Sequence, residues 1–116
     1  MRRTLGKSDR IKRRQDFSRV FRAGAAASDA LITLHAAAND LDRCRLGVGV
    51  STRHGGAVRR NRIRRLCREA FRTCRADLPA GCDYVIVPRV GAEFAIEPLR
   101  RSLLTLSARL AKRSQQ

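Results

Sequence analysis

The chain predicts a small single-domain α+β sandwich, on three observations. Its 116 residues suit one compact domain, 43% of them are apolar, and no Pro/Gly/Ser-rich linker divides them. The hydrophobic period changes along the chain in the order helix–strand–strand–helix–strand–helix. One small sheet covered by helices satisfies that order, and the whole of residues 1–116 is expected to form it. With four Phe, one Tyr and no Trp the core is modest, so a bound partner should add substantially to stability.

Residues 1–12 read as a flexible basic arm. A helix follows over 14–23, where Phe17, Val20 and Phe21 share one face and Gly24 can supply the left-handed terminating residue. Ala25 to Asp29 read as a connector. Residues 30–37 read as a strand with Leu31, Thr33 and His35 on one face and Ile32, Leu34 and Ala36 on the other. Asn39, Asp40 and Asp42 form a turn. In the strand over 45–51, Leu46, Val48 and Val50 alternate with Gly47 and Gly49, whose bare face invites close packing by a helix or a ligand.

Gly55-Gly56 precedes the longest helix, 57–76. Its apolar stripe is Ile63, Leu66, Cys67, Ala70, Phe71 and Cys74, with Arg64, Arg65, Arg68, Arg72 and Arg75 opposite. Residues 83–88 read as a buried strand stopped by Pro88. In the last helix, about 97–112, Pro98 suits the first position, and Leu99, Leu103, Leu106 and Leu110 line one side. The strands flanking the long helix are candidates for a parallel pair, whose crossover is right-handed by the general rule.

Charge narrows the function. The net charge is +16; residues 1–22 carry +7 of it and residues 53–75 carry +8. A field concentrated in two segments points to a polyanion. Like charges four apart, such as Arg60/Arg64, Arg64/Arg68 and Arg68/Arg72, cost an isolated helix a few tenths of a kcal/mol each, a repulsion that a bound polyanion relieves. His35 and His54 are the only histidines and no acidic cluster accompanies them, which argues against a metal or acid–base centre on the protein. A protein-only nuclease is disfavoured for the same reason.

Cys44, Cys67, Cys74 and Cys82 form no CxxC pair and have no His at zinc-finger spacing. Cys67 and Cys74 lie about two helical turns apart, too far to bridge. Reduced thiols in a soluble, cytoplasmic chain are expected. No apolar run is long enough for a membrane span, and the basic N-terminus lacks the apolar stretch of a secretion signal.

The stretch Arg60-Asn61-Arg62-Ile63-Arg64-Arg65-Leu66-Cys67-Arg68-Glu69-Ala70-Phe71-Arg72 is preceded by Gly47-Val48-Gly49-Val50-Ser51. Together they resemble the signature of the bacterial ribonuclease P protein family. The resemblance runs from about Arg10 to Arg109, with Asp16-Phe17, Val20-Phe21 and Gly24 in the first helix and Asp83 to Arg89 in the last strand. It implies an RNA-binding subunit whose catalytic RNA partner removes the 5′ leader of precursor tRNA, with Mg2+ held mainly by the RNA. It implies no catalytic residue on this chain, and no membrane or DNA partner.

The implied RNA-subunit contacts are Arg53, Arg59, Arg60, Asn61, Arg62, Arg64, Arg65 and Arg68. The implied leader cleft, between the first helix and the sheet, uses Phe17, Phe21, Thr33, His35, Arg13 and Arg14. Of the two rings, Phe17 is the one expected to face the leader, and Phe21 to be shared with the core. His35 stands where relatives often have Tyr, and Gly56 where they often have Lys or Asn. The resemblance also implies a left-handed crossover, against the general rule. A ribosomal or assembly protein that only holds structured RNA fits the composition equally well, but not the combined motif.

Overall fold

The computed structural model describes residues 9–114. Helix α1 (Arg14–Arg22) leads into strands β1 (Ala25–Ser28), β2 (Ile32–Ala38) and β3 (Arg45–Val48), then helix α2 (Ala57–Cys74), strand β4 (Cys82–Pro88) and helix α3 (Ile96–Ser114). Short 3-10 turns at Thr52–His54 and Arg75–Asp77 bracket α2. The predicted α+β class holds, with one strand more than the periodicity gave.

That extra strand is the segment read as a connector. Ala25-Ala26-Ala27-Ser28 has little strand propensity of its own. Pairing makes it a strand: it lies antiparallel to β2, with Ala25 opposite Ala36 and Ser28 opposite Thr33. The hairpin closes through Asp29, whose carboxylate accepts the amides of Leu31 (2.8 Å) and Ile32 (3.0 Å). The sheet order is β1-β2-β4-β3, with β2 and β4 antiparallel and β3 and β4 parallel. The long helix therefore does connect a parallel pair.

Strand parity divides the interior. On one face Ile32, Leu34, Leu46, Tyr84 and Ile86 pack against the buried stripes of α2 and α3, including Phe71, Leu99, Leu103 and Leu106. The opposite face is covered only in part, by α1: Val20, Val85 and Ile11 form a small second cluster, joined by Phe17 and Val87. Gly24 ends the α1 region at φ +78°, as expected of a terminating glycine. α3 starts two residues before the predicted Pro98 position, which still falls in the first turn where no amide hydrogen is required.

Residues 1–8 of the expected arm lie outside the described residues. The remainder is anchored. The amide of Ile11 donates to the Leu46 carbonyl (2.9 Å), Arg10 and Leu46 form a parallel bridge, and Asp9 pairs with Arg75 (2.9 Å) and Arg43 (3.2 Å). Local sequence hides this, because the partners are 34 or more residues away.

Candidate nucleic-acid interface

The half-covered sheet face is organised around Asp83. It is wholly buried at the start of β4 and accepts hydrogen bonds from Asn39 (2.9 Å), Arg45 Nε (2.7 Å) and Arg19. Burial alone would raise its pKa, but the Arg45 and Asn39 hydrogen bonds and the charges of Arg45 and Arg19 hold it below the usual carboxylate value. Arg19 also donates to the Ala38 carbonyl (2.9 Å), so a single carboxylate fastens α1 across β2, β3 and β4. The alternating pattern of β4 contains Asp83, but nothing local to it reveals the partners.

Beside this anchor the two aromatic rings differ in burial, and it is Phe17, not Phe21, that packs on the core. Phe17 is half-buried, packed over β3 where Gly47 leaves room; a Cβ on Gly47 would stand 2.8 Å from its ring. The bare strand face was thus a true signal of close packing. Phe21 is 42% exposed and meets His35 edge-on, with ring centroids 4.7 Å apart. Helical spacing puts both rings on one side of α1 but cannot say which lies over the sheet and which overhangs it. Partial burial holds the His35 pKa below its ordinary value, favouring the neutral ring. Thr33 lies on the same sheet face, opposite Ser28 and Val87. Arg13, Arg14 and Phe21 border an open depression of about 920 Å³ on the flank of α1, which Phe17, Thr33 and His35 do not line.

The second cationic surface begins at the β3–α2 junction. His54 is buried; its Nδ1 accepts the Ser51 amide (3.0 Å) and its Nε2 donates to the Pro88 carbonyl (2.7 Å), tying the turn to the end of β4. That assigns a structural task to the second histidine. Arg59 folds back over Gly55, at φ +118°, and donates to the His54 carbonyl (2.9 Å). No side chain caps the start of α2 at Gly56. Arg53, Arg62 and Arg65 are exposed, and Asn61 accepts from Arg64 (3.0 Å). Arg59 and Arg62 also border a small pocket of about 100 Å³ with Glu93 and Phe94.

From Arg59 to Arg68, no arginine of α2 has a carboxylate within ion-pair distance among the described residues. The buried Nε of Arg60 has no acceptor there either. Burial, reinforced by the charges of Arg10 and Arg64, lowers the pKa of Arg68. Arg10 is the residue that sequence reasoning left out: its own buried Nε also lacks an acceptor. Its segment turns the edge of β3, with Ile11 in the α1 cluster and the Arg10 charge felt by α2. Arg72 and Arg75 behave differently. Arg72 pairs with Glu69 (Nε to Oε2, 3.1 Å), and Arg75 binds Asp9 and the Cys44 carbonyl (2.9 Å) while lying 5.9 Å over the Phe71 ring.

Comparison with known proteins settles the family. The family model described as Ribonuclease P matches residues 5–111. This chain belongs to the ribonuclease P protein family. Relatives of that family, each named ribonuclease P protein component, include one from Brevibacillus brevis, 37% identical over 107 residues that span 90% of this chain and 85% of the relative. Another, from Shouchella clausii, is 40% identical over 101 residues, 85% of this chain and 83% of the relative. The solved ribonuclease P protein from Thermotoga maritima superposes with a TM-score of 0.78 at 31% identity, covering 86% of this chain and 96% of that one. The ribonuclease P protein from Staphylococcus aureus gives 0.76 at 30% identity, covering 91% and 97%. Family membership places the chain in a ribonucleoprotein nuclease of tRNA processing. No helix among the described residues is long and apolar enough to cross a membrane.

Proposed function

We propose that the chain serves ribonuclease P as a non-catalytic RNA-binding subunit with two surfaces. The α2 arginines grip the catalytic RNA, and the half-covered sheet face receives the single-stranded 5′ leader of precursor tRNA. The observation that carries the reading is the division of the arginines. Arg19, Arg43, Arg45, Arg72, Arg75 and Arg100 are each held on a carboxylate, whereas among the described residues the run from Arg59 to Arg68 has none. Guanidinium groups with no carboxylate to neutralise them, beside an uncapped helix start, suit closely spaced phosphates.

On the leader side, Phe21 offers a ring face to a base, His35 braces it, and Arg13 and Arg14 supply charge for the backbone between bases. Thr33 adds a hydroxyl on the same face. Stacking of this kind contributes about 1–3 kcal/mol per base. Among the described residues no three His, Cys, Asp or Glu side chains converge, and Asp83 is occupied by arginines. In this reading, which follows the family resemblance, the RNA holds Mg2+ and carries out the hydrolytic step, and this chain grips the substrate.

The test is 5′ processing of a precursor tRNA by bacterial ribonuclease P RNA at low magnesium, with and without the chain. Strong stimulation, with no cleavage by the protein alone, is the expected result. Tight RNA binding without stimulation would reduce the chain to a scaffold for structured RNA.

A further inference from the structure

Two of the four cysteines meet at the base of the parallel pair. Arg45 is in register with Asp83, and Cys44 and Cys82 immediately precede them, on the side of the strands that carries Leu46 and Tyr84. Continued one residue beyond the Arg45–Asp83 pair, the parallel register sets Cys44 beside Cys82 at about 4.8 Å, inside the Cα spacing a disulfide accepts. The polar contacts agree. Cys44 donates its S–H to the Pro79 carbonyl (3.0 Å), and Tyr84, two residues beyond Cys82, donates to the same oxygen (3.0 Å).

Access differs between the two. Cys44 is buried, whereas Cys82 is partly exposed and borders a pocket of about 490 Å³ with Ala36, Ala80, Tyr84 and Leu110. The geometry points to Cys44 and Cys82 as a dithiol modification site, in which Cys82 is the entry thiol and Cys44 the resolving thiol toward small-molecule disulfides. In the first step the Cys82 thiolate attacks one sulfur of the reagent disulfide and displaces its other half as a thiolate. Cys44 then gives its proton to a departing thiolate and attacks the Cys82 sulfur. The second half of the reagent leaves, so two protein thiols are oxidised to one disulfide and one reagent disulfide is reduced to two thiols. Loss of the Cys44 S–H leaves the Pro79 carbonyl still bonded by Tyr84, so no acceptor is orphaned.

The other two cysteines are built-in controls. Cys67 and Cys74 are wholly buried on the α2 stripe, and burial pushes their thiols up to about 12 and about 11. They lack both access and thiolate character.

The experiment treats the reduced full-length chain with oxidised glutathione, counts remaining thiols over time and maps the linked peptides. Native protein is expected to lose two of its four thiols, to yield a Cys44–Cys82 peptide pair reversed by dithiothreitol, and to show a raised urea midpoint. In concentrated urea the selectivity should vanish, because the short Cys67–Cys74 and Cys74–Cys82 loops then close at nearly equal entropic cost and compete with Cys44–Cys82. Cys44→Ala should halt at the mixed disulfide on Cys82, and Cys82→Ser should slow all thiol loss by roughly tenfold. The proposal fails if the native chain stops at a mixed disulfide, keeps all four thiols, or loses Cys67 and Cys74 at the same rate as Cys82. None of these outcomes depends on the RNA-binding reading.

Discussion

The two faces of the sheet divide the work of the molecule. Beneath α2 and α3, apolar side chains from both helices close over Leu34, Tyr84 and Ile86, and the polar groups are few and local. Beneath α1 the cover is a single helix, the apolar cluster is small, and a buried carboxylate held by two arginines replaces much of the missing apolar contact. The first face is built for stability. The second has less packing and an open edge, where the proposed leader contacts Phe21, His35 and Thr33 lie.

The contrast is broken most severely at Phe71. Phe71→Ala should cost about 3–5 kcal/mol in urea unfolding, since the ring is wholly buried between helix and sheet. A loss under 1 kcal/mol would show that the α2–α3 face is not the main source of stability.

Asp83→Asn comes next, at about 2–3 kcal/mol, because it leaves Arg19 and Arg45 without their shared carboxylate. The pH dependence has a definite sign. The folded pKa of Asp83 is depressed, so its contribution is complete above the unfolded carboxylate value of about 3.9. It is lost as pH falls through the folded value. The wild type should therefore lose stability more steeply than Asp83→Asn on acidification through that window; parallel acid-unfolding curves would deny Asp83 its anchoring role.

Gly47→Ala should cost about 1–3 kcal/mol, because the new methyl meets the Phe17 ring from beneath. It should also weaken precursor binding by displacing α1. Phe21→Ala reverses the balance: unfolding should change by no more than about 0.5 kcal/mol, yet affinity for precursor tRNA should fall by about 1–3 kcal/mol with mature tRNA spared. Equal losses for both tRNAs would remove Phe21 from the leader site. Smallest in effect on the fold is Arg62→Ala, read from the salt dependence of binding to the catalytic RNA. Its log–log slope should flatten by about 0.7–0.9, and an unchanged slope would mean that Arg62 touches no phosphate.

Much of this organisation was legible in the chain itself. The α2 stripe, the arginine run and the Gly47 gap follow from periods of 3.6 and 2, which depend only on neighbouring residues. The strand at Ala25–Ser28 was not legible, since four small residues carry no pattern and became a strand through the hairpin with β2. The rings were legible as a pair but not in which of them is buried. Helical spacing gives a face, whereas the overhang of Phe21 depends on where α1 stops relative to β2.

The amino-acid sequence by itself determined the α+β class, the concentration of charge in two segments, the apolar face of every helix and the family to which the chain belongs. Tertiary structure alone decided that Asp83 would collect Arg19, Arg45 and Asn39, that the Arg10 segment would pair with the edge of β3, and that Cys44 and Tyr84 would share the Pro79 carbonyl. The physical reason is the same in each case. Charge and periodicity are properties of a residue and its near neighbours, while a carboxylate's partners, or a thiol's, come from strands and helices that only the sheet order brings together.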